Sequence, residues 1–443
     1  MATSVKTKKK AAKGAAKKSK VKVVSKPKGK SAAKGKASAK KAAKPKAKKK
    51  VIAPKKTAKK PSKAKPKAPV KKPAAKAPPV KRAVPASKAA ASSPAKPAAP
   101  APAKKRGTSS PASKAPVLSR EFLTEIANCI RKAVVPLVRA AKGREILGSA
   151  TSGDATFQLD KVAERALLNF LRDAHLPVAF YSEDAGYTTF TSAQPQHLLV
   201  VDPVDGSRAA KSGFESCVVS VASTRVIERP RMADVDNGIV MEILGPRTFY
   251  AQRGKGARIY MSDAIKKPKL SRNTNLELVS WSMTVPARPA ELIFPTAAKL
   301  IDLTSLKGGF FACNSTSYSL TRLLTNQLDA CVDFANRFLR DIPEAVEDQF
   351  INAGRGIVLG IAPYDIAASH LIAKEAGCYI TDAYGASLED VLLLDSSVAN
   401  HRSLIAAANK ELHEKLMSFF DIRIQQFEQL LARRTQQASA NNK

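Results

Sequence analysis

The chain has 443 residues and carries 76 Lys and Arg against 36 Asp and Glu, a formal charge of +40. Residues 1–116 hold 39 of those basic residues with no acid and no aromatic ring, which leaves 37 basic against 36 acidic residues in the rest. No run approaches a membrane span and the N-terminus lacks the apolar core of a secretory signal; five scattered cysteines with no Cys-x-x-Cys pair argue for buried thiols in a reducing compartment, against a disulfide framework or zinc.

Residues 1–116, rich in Lys, Ala and Pro, offer too little apolar surface to offset the entropy of ordering, so this segment is predicted to be a disordered basic tail. Its Lys-Ala-Lys and Ala-Lys-Pro units resemble linker-histone tails and the lysine-rich arms of nucleoid proteins. Charge this dense binds nucleic acid by counterion release, and without aromatics it does so without base stacking. A solubilising extension, or one that binds an anionic membrane, is the alternative. The protein is expected to be soluble and intracellular, in a cytoplasm with nucleoid association or in a nucleus.

The body, residues 117–432, is long enough for a sizeable core and suits two subdomains divided near 265, followed by a polar end at 433–443. Its first helix is predicted over 119–141 with Ser119 as N-cap and a kink at Pro136. A second helix follows over 160–173, then an apolar strand, 178–181, that runs into Ser182-Glu183-Asp184-Ala185-Gly186. The apolar run 198–201 leads into Asp202-Pro203-Val204-Asp205-Gly206-Ser207. Residues 216–227 read as a strand and 238–256 as a β-meander. Residues 315–325 are helical, with Asn326 as a left-handed cap, and 328–332 form a short strand. Pro363-Tyr364-Asp365 opens a helix that Gly377 stops; a strand over 378–381 and a last helix from about 400 complete the body. The stripe Leu412, Leu416, Phe419, Phe420, Ile424, Phe427, Leu430 and Leu431 is core packing or a homodimer face. His370, on a helix among apolar residues, reads as a packed or surface histidine more readily than a catalytic one.

Two strands that end in carboxylates place hard oxygen ligands at the mouth of a sheet, where Mg²⁺ and a phosphate meet. Asp-Pro-x-Asp-Gly is also a good turn, so that run alone decides little. Asp365, at a helix N-terminus, would point to the same place.

Six segments in order give the chain its likeness: Gly153-Asp154-Ala155-Thr156 to Asp160, the Glu183 and Asp202 turns, Arg253-Gly254-Lys255-Gly256-Ala257, Leu328-Asp329-Ala330, and the helix from Asp365 to Glu375-Ala376-Gly377. Over about 118–425 the chain resembles the inositol monophosphatase family of Mg²⁺-dependent, lithium-sensitive phosphatases. The resemblance implies an α/β fold, a layered αβαβα sandwich of the inositol monophosphatase/fructose-1,6-bisphosphatase type. It implies two or three Mg²⁺ ions. Glu183, Asp202 and the Val204 carbonyl would hold the first, Asp202, Asp205 and Asp365 the second, and Asp184 would reach a third. Asp154 and Ser207 would orient the attacking water, and Gly206, Ser207 and Arg208 would hold the phosphate of a small phosphorylated substrate. Inositol and sugar phosphates lead as substrates, and a nucleotide is the further option. Ser207-Arg208-Ala209-Ala210 departs from the family's Thr-x-Asn-Phe, Tyr364 replaces tryptophan, and Asn314-Ser315 replaces Gly-Ser, which bears on the alcohol half of the substrate. Arg208 and Lys211 either bind a second phosphate or are solvated cations. The competing reading is a chromatin or nucleoid protein whose phosphatase fold serves as a structural module; four converging acids, which repel one another without metal, disfavour it.

Overall fold

Residues 112–149 and 155–441 are described in the computed structural model. By contacts the chain divides into residues 1–96, all outside the described set, and residues 97–443. The tail expected at 1–116 lies almost wholly outside the described residues.

Ser119 caps α1 (Arg120–Val134) by accepting the Phe122 N–H at 3.1 Å. The helix stops short of the predicted 141: Pro136 has no N–H for the helical ladder, and the chain tightens into a 3₁₀ turn over Val135–Leu137 instead of kinking. A hairpin of β1 (Ile146–Ser149) and β2 (Ala155–Phe157) leads into α2 (Gln158–Ala174).

The first sheet collects β3 (Val178–Ser182), β4 (Gly186–Thr189), β5 (His197–Asp205), β6 (Val218–Thr224), β7 (Asn237–Glu242), β8 (Thr248–Gln252), β9 (Ala257–Tyr260) and β10 (Ile265–Lys266), with the short helix α3 (Ser207–Ser212) after β5. Its strand order is β10-β9-β8-β7-β6-β5-β3-β4. The second sheet has the order β12-β11-β13-β15-β14. It is built from β11 (Ser280–Met283), β12 (Gly309–Phe311), β13 (Ala330–Asp333), β14 (Tyr379–Thr381) and β15 (Leu404–Ala407), interleaved with α4 (Ala290–Thr304), α5 (Thr316–Leu324), α6 (Ala335–Asp341), α7 (Pro343–Ala353), α8 (Pro363–Ala376) and α9 (Lys410–Asn441).

Alternation along β5 sets the layers. Leu199 and Val201 face α1 and α2, packing with Leu123, Ile126 and Leu167. Leu198 and Val200 face the other way, into a core shared with Leu320 and Leu323 of α5, Ile366 and Ile372 of α8, and Leu404 and Ala406 of the second sheet. The far side of that sheet, Trp281, Val332 and Ile405, packs on Leu300 of α4 and Leu412, Leu416 and Phe420 of α9. The order is therefore helices, eight strands, helices, five strands, helices: the expected αβαβα sandwich.

Two expectations are corrected. The last helix starts at Lys410, not near 400, because the apolar run in β15 pairs between β13 and β14 in the middle of the second sheet. Of the five cysteines, Cys217, Cys331 and Cys378 are buried, while Cys129 and Cys313 are only half-buried. Asn326 does take the predicted left-handed conformation, φ 58°, and Asn314 takes φ 55°. Much of the α9 stripe is core, with Leu412, Leu416, Phe420 and Ile424 fully covered and Leu430 left half-exposed. No helix among the described residues is long and apolar enough to cross a membrane.

Candidate active site

β3 and β5 run parallel with Ser182 opposite Val201, so Glu183, the first residue past the end of β3, comes beside Asp202, which is still within β5. Asp202 and Asp205 are three apart, a spacing that sends side chains of a regular strand to opposite faces. The ladder to β6 absorbs one extra residue between them: Asp202 stands opposite Ser220 and Asp205 opposite Val218. This bulge turns both carboxylates into one cavity of about 480 Å³. Pro203, which has no N–H to contribute, suits the irregular stretch. Gly206 follows at φ 96°, and a Cβ there would lie 2.4 Å from the Ser216 carbonyl oxygen, so only glycine carries the chain from strand into α3.

Asp365 reaches the same cavity as the third residue of α8, where its carboxylate accepts the Ala362 N–H at 2.8 Å. Ser317, fully buried in α5, joins the two halves: its N–H donates to Asp205 Oδ2 at 2.7 Å and its hydroxyl donates to the Asp365 carbonyl at 2.6 Å. Sequence reasoning missed Ser317, since its run of small polar residues reads as an ordinary helix start. The cavity thus gathers Glu183, Asp202, Val204, Asp205, Gly206, Ser207, Arg208 and Asp365.

Burial, then the neighbouring carboxylates of Asp205, Asp365 and Glu183, push Asp202 well above the usual carboxylate range. Burial, then Asp205 and Glu183, raise Asp365 in the same way. Asp205 is pushed up to about 6 by burial, with hydrogen bonds from Ser315 and Ser317 holding it back. Acids that raise one another hold a proton more tightly, or are relieved by a cation. The donors fit one. Asp202 Oδ1 accepts the Val204 N–H, and Asp205 and Asp365 each commit one oxygen to a backbone N–H, which orients the other as a supporting shell does for a metal ligand. A purely oxygen set suits hard divalent ions such as Mg²⁺, Mn²⁺ or Ca²⁺. No three His, Cys, Asp or Glu among the described residues close into a cage by themselves; carbonyl, water and phosphate oxygens complete such open sets.

Ser207 opens α3, and its hydroxyl donates to Asp160 Oδ1 at 2.6 Å, with the Val204 carbonyl at 3.0 Å as a second acceptor. Asp154, the predicted partner of Ser207, lies outside the described residues. The carboxylate that meets the hydroxyl is Asp160, the last residue of the same motif, which also caps α2 by accepting the Phe157 N–H at 2.8 Å. Asp184 sits in a smaller adjoining cavity of about 30 Å³ with Asp160, Glu164, Glu183 and Asp202. Buried Glu164, another residue not singled out from the sequence, accepts the Ser182 hydroxyl at 2.6 Å, and burial pushes its carboxyl up to about 7. Lys211 lies on α3 with its ammonium 3.9 Å from the centre of the Phe157 ring.

The wall away from the carboxylates mixes Pro286, Ile351, Ile357 and Val398 with Asn314, Ser396 and His401. Arg288, also on this wall, is held by Asp333 at 2.6 and 3.0 Å. His370 is 2% exposed within α8, and burial lowers its pKa to about 3.

The inositol monophosphatase family model matches residues 119–425. The bifunctional NADP phosphatase/NAD kinase of Methanococcus maripaludis is 26% identical over 311 residues, 68% of this chain and 49% of that protein, so the chain spans about half its length. The fructose-1,6-bisphosphatase/inositol-1-monophosphatase of Methanothermobacter thermautotrophicus is 27% identical over 306 residues, 67% of this chain and 94% of that protein. A solved inositol monophosphatase–fructose 1,6-bisphosphatase shares the fold with a TM-score of 0.50 at 22% identity, over 68% of this chain and 100% of its own.

Proposed function

This chain belongs to the inositol monophosphatase family and is a phosphatase, and from that premise we propose that it is a Mg²⁺-dependent phosphomonoesterase acting on a small alcohol phosphate, with inositol and sugar phosphates first in line. The observation that carries the reading is the convergence of Glu183, Asp202, Asp205 and Asp365, from four separate segments, on the cavity that also holds Ser207.

Bound divalent ions supply charge neutralisation at the phosphate, a more acidic water and a stabilised leaving oxygen. Glu183, Asp202 and the Val204 carbonyl would hold one, and Asp202, Asp205 and Asp365 the other, with Asp202 shared. The Ser207 hydroxyl donates a hydrogen bond to Asp160, which leaves its oxygen lone pairs to accept from an attacking water and orient it. The N–H groups that open α3, at Gly206, Ser207 and Arg208, receive the phosphate oxygens. Ser317 keeps the two acidic halves in register. The test is Mg²⁺-dependent release of inorganic phosphate by the full-length protein from a panel of inositol, sugar and nucleotide monoesters. Fructose 1,6-bisphosphate and NADP join the panel because relatives carry those names. No release from any member at saturating Mg²⁺ would sink the proposal.

Residues 1–116 are assigned a separate role, sequence-independent binding of nucleic acid through their 39 cationic side chains.

A further inference from the structure

Asp184 is the residue to which the family resemblance gives a third metal ion, yet both of its oxygens are already engaged. Oδ1 accepts the Thr156 hydroxyl at 3.0 Å, and Oδ2 pairs with the Lys161 ammonium at 3.3 Å. The carboxylate is 8% exposed and the lysine 44%; Asp184 lines the small cavity together with Asp160, Glu164, Glu183 and Asp202, and the ammonium takes the carboxylate's second oxygen from outside that lining. Neither oxygen that Asp184 brings to that cavity is without a partner, so a third divalent ion would have to compete for its ligand.

The other acids there have their own answers. Asp160 takes the Ser207 hydroxyl on one oxygen and the Phe157 N–H on the other. Glu164 takes the Ser182 hydroxyl. Glu183 and Asp202 face the larger cavity as well and belong to the two-ion set. Lys161 directly follows Asp160 in the first turn of α2, and the Thr156 hydroxyl comes from the strand that feeds that turn. One ammonium therefore neutralises Asp184 and straps the segment that carries Asp160 to the β3–β4 turn that carries Glu183.

We propose that Lys161 is a resident cation on the carboxylate that a third divalent ion would need, so that this protein works with two ions and uses Lys161 as a positioning residue. The inference rests on the two-ion reading of the main cavity. The pair is partly exposed and its attraction modest, so what it sets is occupancy: an ion would have to displace the ammonium first.

The test is Mn²⁺ stoichiometry on the full-length protein, counted by the loss of the free-ion electron paramagnetic resonance signal, with thermal unfolding to confirm that each variant is folded. Wild type should bind two ions. Lys161→Met, which keeps the aliphatic stem and removes the charge, should gain a third with at least tenfold tighter affinity than any third event in wild type, and adding Asp184→Asn should abolish it. Two ions in both wild type and Lys161→Met, or three of equal affinity in both, would overturn the proposal while leaving the main site intact. Failure of wild type to bind Mn²⁺, or an unchanged count in Asp202→Asn, would instead overturn the two-ion reading and this inference with it.

Discussion

Removing the Ser207 hydroxyl, or the Asp160 charge that accepts its hydrogen bond, tests the proposed water-orienting pair directly. Their 2.6 Å separation is that of a charge-assisted hydrogen bond. Positioned proton handling of this kind is worth roughly 10²–10⁴ in rate, so Ser207→Ala and Asp160→Asn should each lower kcat by about that factor. KM should barely move, because neither group reaches the alcohol. The two act as one unit, so the double variant should stay within about tenfold of the worse single variant. Asp160 also caps α2 through the Phe157 N–H, and loss of a cap costs about 1 kcal/mol; urea unfolding separates that stability loss from the kinetic one. Steady-state phosphate release at saturating Mg²⁺ is the assay, with Asp154→Asn as the comparison. Losses that simply multiply would refute the pair. A larger loss in Asp154→Asn than in Asp160→Asn would return the role to Asp154.

Asp202→Asn removes the charge shared by both proposed ions and should cost roughly 10²–10³ in kcat, as losing one electrostatic stabiliser does; Asp205→Asn and Asp365→Asn should mainly raise the Mg²⁺ concentration at half-maximal rate, and full activity in Asp202→Asn would remove it from the site. Glu428 has Oε1 buried without a hydrogen-bond partner, and burial, then Asp341, push its carboxyl up to about 7. A raised carboxyl contributes stability that is complete below its unfolded value near 4.5 and lost as pH rises through about 7. Wild type should therefore lose thermal stability relative to Glu428→Gln between pH 5 and 8, and parallel melting curves across that range would contradict the assignment. Deleting residues 1–116 should abolish salt-sensitive binding to unrelated DNA duplexes and leave turnover on small substrates unchanged; an unchanged salt slope would place binding in the body.

The strand that carries the carboxylates was legible in its apolar run, Leu198 to Val201, although it continues through Asp205 where a turn was expected. The side to which those carboxylates point was not. Asp-Pro-x-Asp carries no mark of the bulge, which exists only in the pairing with β6, and without it Asp202 and Asp205 would part. The same limit fell on the partner of Ser207. Asp160 stood in the motif without a role of its own, and only the fold brings it to a hydroxyl 47 residues away; Asp154 lies outside the described residues. Leu404 to Ala407 was read as part of a helix because a short apolar run with alanines has no period of its own; its two strand neighbours decide it. Ser317 had no local signal at all, since its hydroxyl and N–H bridge groups from β5 and α8 that are far apart in the chain.

The energetics of the acidic cavity also weigh on whether the body catalyses or only supports the tail. Raised carboxyls at Asp202 and Asp365 mean that the cation-free fold binds protons more tightly than the unfolded chain, so these groups subtract from stability as pH rises toward neutrality. A body retained for structure alone would be relieved by asparagine at either position. Instead Asp202 receives the Val204 N–H, Asp365 the Ala362 N–H, and Ser317 joins Asp365 to Asp205, an arrangement that keeps strained acids in place without discharging them. Ions that bind only the folded state return the lost stability in proportion to their occupancy. On the proposed two-ion reading stability and Mg²⁺ dependence are one property of the cavity, and Asp202→Asn separates the two readings: a variant that melts higher without Mg²⁺ and turns over slowly with it has given up catalysis for stability, as an active site does and a spacer has no occasion to do.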